Sequence, residues 1–241
     1  MNFIAIIPAR YASTRFPGKP LADIKGKPMV QHVYEKAINS GLFQKVLVAT
    51  DDIRIQKVVL SFGGEVAMTH KNHQSGTDRC GEVINNIRNS FDVVVNIQGD
   101  EPFIHQSQLE ELVNLFKSTP AQIGTLKKEL SKKEDLFNPN VVKVVSGLDK
   151  RALYFSRNPI PFVRNSKEDD WLVEQKFYKH LGLYGYRSEV LKKLVMLAPS
   201  TLEISESLEQ LRWLENGYEI FISETQHEST GIDTPEDLMK L

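Results

Sequence analysis

A single cysteine, Cys80, stands in the 241 residues. That excludes an intrachain disulfide and a cysteine-based zinc cluster, and its place beside Gly81 on an expected helix favours packing over chemistry. An excess of one charge is missing too: 30 Lys and Arg against 31 Asp and Glu leave a net charge of −1. Nucleic acid is therefore not expected as a partner, and an anionic ligand needs a local cationic pocket. Long apolar runs are lacking. The early stretch from Phe3 to Pro8 is too short for a membrane span or a signal-peptide core, and no small-residue cleavage site follows it, so a cytoplasmic chain without membrane contact is expected. The histidines (His32, His70, His73, His105, His180 and His227) are scattered, which argues against zinc at His73. Neither glycine-rich phosphate signature occurs: there is no G-x-G-x-x-G, and Lys19 is followed by Pro20 where a P-loop needs Ser or Thr. Internal repeats, low-complexity tracts and flexible linkers are absent as well.

What is present is alternation. Short apolar runs at Phe3–Ile7, Lys45–Ala49, Glu65–Met68 and Asp92–Ile97 take turns with helical patterns over 29–40, 53–62, 78–89 and 106–118. Runs such as Val46-Leu47-Val48-Ala49 are continuously apolar, as in a parallel sheet covered on both faces. The pattern predicts an α/β fold: a Rossmann-like, doubly wound, mostly parallel sheet in one domain spanning 1–241, with an inserted sub-region at about 125–185. In the looser part, strands are expected at Thr125–Leu130, Val141–Val145 and Ala152–Phe155, with an irregular charged segment over 165–178 that reads as an insertion or dimer arm. Regular α/β pattern resumes with strand Leu181–Tyr186, helices 188–196 and 203–216, strand Tyr218–Ile222 and a last helix from Pro235.

The loop after the first run, Arg10 to Pro20, carries Arg10, Arg15 and Lys19, the hydroxyls of Ser13 and Thr14, and the turn pair Pro17-Gly18. A β-turn needs about four residues; this loop spends eleven and loads them with cations. In open α/β sheets ligands lie beyond the carboxyl ends of strands, so the loop is read as a phosphate cradle rather than a solvated turn. Two acidic sites stand at other strand ends. Asp100, in Gln98-Gly99-Asp100-Glu101-Pro102, is a metal-ligand candidate, although an acid before Pro102 also simply shapes a turn. Near the end of the chain, Thr234, Pro235 and Asp237 account for a helix start without Asp233, which leaves that carboxylate available as a second ligand. In the third segment, His73 to Arg79, Ser75 and Asp78 match a capping box, while His73 and Gln74 are not needed by the cap and are candidates for reading a base.

The run Ile7 to Leu21, His73 to Arg79, Asn96 to Pro102, Phe137 to Lys143, Tyr154 to Arg157, His180 to Arg187, Leu208 to Arg212 and Gly231 to Leu238 together closely resemble the 3-deoxy-manno-octulosonate (Kdo) cytidylyltransferase family, the CMP-Kdo synthetases. The resemblance spans essentially the whole chain. It implies transfer of CMP from CTP to Kdo with release of diphosphate, for lipopolysaccharide synthesis, with Mg²⁺ as cofactor, a homodimer, and CTP and Kdo as the small-molecule partners. By the same resemblance Arg10, Arg15 and Lys19 grip the triphosphate, and Ser13, Gln74 and Ser75 surround ribose or cytosine. Asp100 and Asp233 hold the metal, and Lys19, Arg10, Asp100 and Asp233 carry the catalysis. Gln98, Arg157, His180, Tyr184, Glu209 and Gln210 meet the sugar acid. Taken singly, Glu209 reads as a solvated helix face, His180 as a buried histidine and Tyr184 as sheet packing. The chain departs from the family at Thr201-Leu202-Glu203 and over 165–176. Alternatives are a cytidylyltransferase for another sugar acid such as sialic acid, a metal-dependent glycosyltransferase using Asp51-Asp52, and a non-catalytic nucleotide sensor.

Overall fold

An apolar run without polar interruption suits a strand covered on both faces, and the head of the chain behaves so: Phe3–Pro8 forms β1, with Phe3 to Ile7 buried. The computed structural model describes residues 1–12, 16–228, 231–232 and 234–239. After β1 come a 3₁₀ turn (Lys19–Leu21), β2 (Asp23–Ile24), β3 (Lys27–Pro28), α1 (Met29–Asn39), β4 (Lys45–Thr50), α2 (Ile53–Ser61), β5 (Val66–Met68), α3 (Gly76–Asn86), β6 (Val93–Asn96) and α4 (Gln106–Ser118). The chain continues through β7 (Ile123–Glu129), α5 (Lys133–Phe137), β8 (Lys143–Ser146), β9 (Ala152–Ser156), α6 (Trp171–Glu174) and β10 (Tyr178–Arg187). It ends with α7 (Ser188–Leu194), α8 (Thr201–Glu206), α9 (Glu209–Glu215), β11 (Ile220–Glu224) and α10 (Pro235–Leu238).

Two compact units emerge where one domain with an insertion near 125–185 was expected. The first comprises Met1–Glu110, Leu183–Val195 and Glu228–Leu241; the second comprises Glu111–Gly182 and Met196–His227. In the first, β1 pairs in parallel with β4 and β6, and β4 with β5. The later half of β10 runs antiparallel to β6, with Tyr184 opposite Asn96. Helices cover the sheet through apolar stripes, as α1 does with Met29, Val30, Val33, Tyr34 and Ala37. Buried Cys80 sits on α3 beside Gly81, where an added Cβ would lie 2.6 Å from Val195, so its role is packing.

In the second unit β7 runs parallel to β11, β8 antiparallel to β9, and Lys179 of β10 pairs with Lys143 of β8. Two sequence expectations fail here. The segment 165–178 is not simply irregular, because Trp171 and Phe177 are buried and stacked at 6.0 Å with Leu130 and Leu136 in one cluster. Its charged neighbours mask these aromatic anchors. The single helix over 203–216 is two helices, broken at Ser207, which takes the left-handed conformation at φ 51°. Only a glycine would have announced that turn by its own preference. Elsewhere α3 starts at Gly76 rather than at 78, since Ser75 is its N-cap and Asp78 completes the capping box.

Candidate active site

The site is built at the carboxyl end of β1. Ala9 continues the sheet by donating to the Ala49 carbonyl at 2.9 Å, and exposed Arg10 follows. The loop returns at Gly18, whose N–H bonds the Tyr11 carbonyl at 2.9 Å. Gly18 has φ 75°, and a Cβ there would lie 3.1 Å from the Tyr11 ring, so glycine alone suits the turn that delivers Lys19. Arg54 covers the Tyr11 ring at 3.3 Å from its centroid. Lys19 reaches across to the next strand end: its Nζ lies 2.6 Å from Oδ2 of Asp100.

Asp100 owes its position to Gly99. A Cβ at Gly99 would sit 2.7 Å from the Pro8 carbonyl oxygen, so the turn after β6 lies backbone against backbone on the end of β1. Ile97 donates to the Ile6 carbonyl at 3.0 Å, and Ile232 to the Asp100 carbonyl at 2.9 Å. Ile232 is buried against Ile24 and Met29, which fixes that tether. The third wall is the start of α3. Gln74 donates its side-chain amide to the Asn72 carbonyl at 2.9 Å, and Ser75 Oγ accepts from Asp78 N–H at 3.1 Å. His73 is held by the Glu82 carboxylate. Burial raises the Glu82 carboxyl pKa, but the His70 N–H and the His73 ring outweigh it and hold the group below its ordinary value.

These elements enclose a cleft of about 230 Å³ in the first unit. Of the residues expected at the site, Arg10, Lys19, Gln74, Ser75, Gln98 and Asp100 line it together. Tyr184 belongs to the same unit but is buried on β10, stacked 5.9 Å from Tyr186, and does not line the cleft. Ser13, Arg15 and Asp233 lie outside the described residues. The sequence reading missed Arg79, a lining residue 2% exposed that donates to Thr69 Oγ1 at 2.6 Å and lies 3.2 Å from Asp51. Its place in the His73–Arg79 run next to a helix cap was the available signal, and helix-forming tendency concealed it. Asp52 caps α2 and binds Arg54 through both carboxylate oxygens. Each carboxylate of the Asp51-Asp52 pair thus faces an arginine.

Arg157, His180, Glu209 and Gln210 belong to the second unit. Arg157 spends its guanidinium on main-chain oxygens: Nε donates to Glu206 at 2.6 Å, Nη1 to Pro139 at 2.8 Å and Nη2 to Ser207 at 3.3 Å. His180 Nε2 lies 2.9 Å from Thr125 Oγ1, with the Phe155 ring edge-on at 5.0 Å. Although the residue keeps some exposure, desolvation of the ring pushes its pKa down to about 3, so the imidazole is neutral at pH 7. Glu209 opens α9 and lies 3.8 Å from Arg212, which pairs with Glu203 at 2.5 Å. Gln210 is buried on the same helix. Glu209 is thus half-buried and within reach of a cation, not a solvated helix face.

Among the described residues no group of three or more His, Cys, Asp or Glu is arranged to hold a metal. No helix among them is long and apolar enough to cross a membrane. The sequence pattern of the cytidylyltransferase family matches residues 4–221. A 3-deoxy-manno-octulosonate cytidylyltransferase of Parabacteroides distasonis is 55% identical over all of this chain and 96% of its own length; one from Phocaeicola vulgatus is 54% identical with the same coverage. A solved CMP:2-keto-3-deoxy-manno-octonic acid synthetase complexed with CTP superposes with a TM-score of 0.93 at 42% identity, over 100% of this chain and 96% of that one. The chain belongs to the 3-deoxy-manno-octulosonate cytidylyltransferase family.

Proposed function

We propose that this chain transfers CMP from CTP to the anomeric hydroxyl of Kdo, giving CMP-Kdo and diphosphate for lipopolysaccharide synthesis. The observation that carries the reading is the meeting of Lys19 and Asp100 in one cleft at the ends of β1 and β6, in a chain of this family. In the reaction the hydroxyl oxygen bonds to the α-phosphorus while the bond to the departing diphosphate breaks and the hydroxyl proton is released. No side-chain nucleophile is needed, so positioning and charge neutralisation carry the rate. Arg10 and Lys19 neutralise the triphosphate, and Lys19, fixed by its 3₁₀ turn, meets the charge that builds on the leaving group. Gln74 and Ser75 bound the nucleoside side of the cleft.

Mg²⁺ fits this donor set, since it is usually held by one or two carboxylates plus substrate phosphates rather than by a cage of acids. Asp100 would hold it with Asp233, and the ion would neutralise phosphate charge and make the attacking hydroxyl more acidic. By the family likeness Arg157 would meet the sugar carboxylate, and Gln98, neutral His180, Tyr184, Glu209 and Gln210 are the candidates for its hydroxyls. The family likeness also supports a homodimer and a cytoplasmic location; light scattering on the purified chain tests the former. The decisive assay incubates the protein with CTP, Mg²⁺ and Kdo, with sialic acid as control, and measures diphosphate. Release with Kdo is expected. Release with sialic acid alone, or with neither, overturns the reading.

A further inference from the structure

Lys143, the first residue of β8, is wholly buried. A buried ammonium needs acceptors, and its Nζ donates to the main-chain carbonyls of Asn138 at 2.9 Å and Val141 at 2.6 Å. Both belong to one turn, closed by Val141 N–H on the Asn138 carbonyl at 3.1 Å and by Asn140 N–H on Asn138 Oδ1 at 2.9 Å. The carbonyl of Pro139, inside the same turn, receives Arg157 Nη1 at 2.8 Å. Two cations therefore grip a single turn. In the ladder of β8 and β9, Lys143 stands opposite Ser156, the residue before Arg157.

The charges do not balance within this cluster. Glu206 accepts from Ser156 Oγ at 2.7 Å and from Arg157 N–H at 2.9 Å, so one carboxylate faces two cations. Carbonyl oxygens satisfy the hydrogen bonds of Lys143 without cancelling its charge. Consistent with that, burial pushes its pKa below the ordinary lysine value, Arg157 adds to the effect and Glu206 opposes it. An arginine carries five N–H donors, and the three bonds to main-chain oxygens leave a half-exposed guanidinium with capacity for an anion.

We propose that Lys143 is a positioning residue for recognition of the sugar acid: it locks the Asn138–Val141 turn, so that Pro139 fixes the Arg157 guanidinium, and its surplus charge favours a carboxylate there. This rests on the reading of Arg157 as the carboxylate contact. Steady-state kinetics with CTP and Kdo varied separately test it on wild type, Lys143→Met, Asn138→Ala, Arg157→Gln and the Lys143→Met/Arg157→Gln double variant. Lys143→Met should raise the Kdo KM about tenfold while leaving the CTP KM within about twofold, as loss of a charged positioning bond predicts. Asn138→Ala, which loosens the turn and keeps the buried charge, should raise the Kdo KM about threefold. In the Arg157→Gln background Lys143→Met should add nothing further, because it acts through that guanidinium. An unchanged Kdo KM in Lys143→Met, equal rises for both substrates, or additive effects in the double variant overturn the proposal. Should Lys143→Met fail to fold, Asn138→Ala combined with Arg157→Gln decides by the same additivity criterion. An unchanged Kdo KM in Arg157→Gln overturns the reading of Arg157 itself and the proposal with it, an outcome distinct from failure at Lys143 alone.

Discussion

The cleft of the first unit and the Arg157 cluster of the second hold their cations in opposite ways. Lys19 sits 2.6 Å from a carboxylate, so the two charges cancel. Arg157 and Lys143 are tied instead to neutral carbonyl oxygens, which fix their geometry and leave their charge. An ion pair can exchange one anion for another, as phosphate chemistry requires, whereas a cation held by carbonyls stays in place for an anion that is only recognised. Charge that works during the reaction is expected in the first arrangement, and charge that selects a substrate in the second.

The sharpest way to break this contrast is at Asp100. Asp100→Asn keeps the shape and removes the charge, and should lower kcat about a thousandfold, read by diphosphate release; a change confined to KM would contradict the assignment. Lys19→Met should cost about a hundredfold in kcat with the Kdo KM within about twofold. If Lys19→Met instead weakens Kdo, the two regions do not divide the work as described. Arg157→Lys keeps the charge but loses the planar fork, and should raise the Kdo KM about tenfold at nearly constant kcat. A kcat effect of equal size would move Arg157 to the reacting side.

The smallest effect concerns acid stability. His180 is pushed from 6.5 to about 3, so between those values the unfolded chain is protonated there while the folded chain is not. Stability is present above pH 6.5 and is lost as pH falls toward 3, with a slope of at most about 1.4 kcal/mol per pH unit from this group. His180→Gln should flatten the fall in urea midpoint between neutral pH and about pH 5. Parallel curves for the two proteins would show that the ring is solvated.

Much of the first unit was legible because its signals are local. Continuous apolar runs marked β1 and β4. Ser75 and Thr234 carry the capping boxes that their sequence spacing implied. The pairing of Lys19 with Asp100, 81 positions apart, had no local signal and needed the register of β1 and β6. Arg79 was hidden because a buried arginine inside a helix reads like any helix former. The second unit was harder for a related reason. Its strand β10 opens with Tyr178, Lys179 and His180, and buried Lys179 breaks the apolar pattern, so the apolar run in the sequence begins only at Leu181. Nothing in the string of residues told that Lys143 would be dry, or that Ser207 would turn left-handed under Arg157.

Gly99 works as a spacer. With a Cβ there fated to strike the Pro8 carbonyl at 2.7 Å, the gap between the cation-bearing loop and the acid-bearing turn is set by main chain alone. Drift in the surrounding side chains can reshape the walls of the cleft without altering that width. An engineer should therefore vary side chains that line the cleft, such as His73 and Gln74, and leave the spacer untouched, since widening the gap would part Lys19 from Asp100.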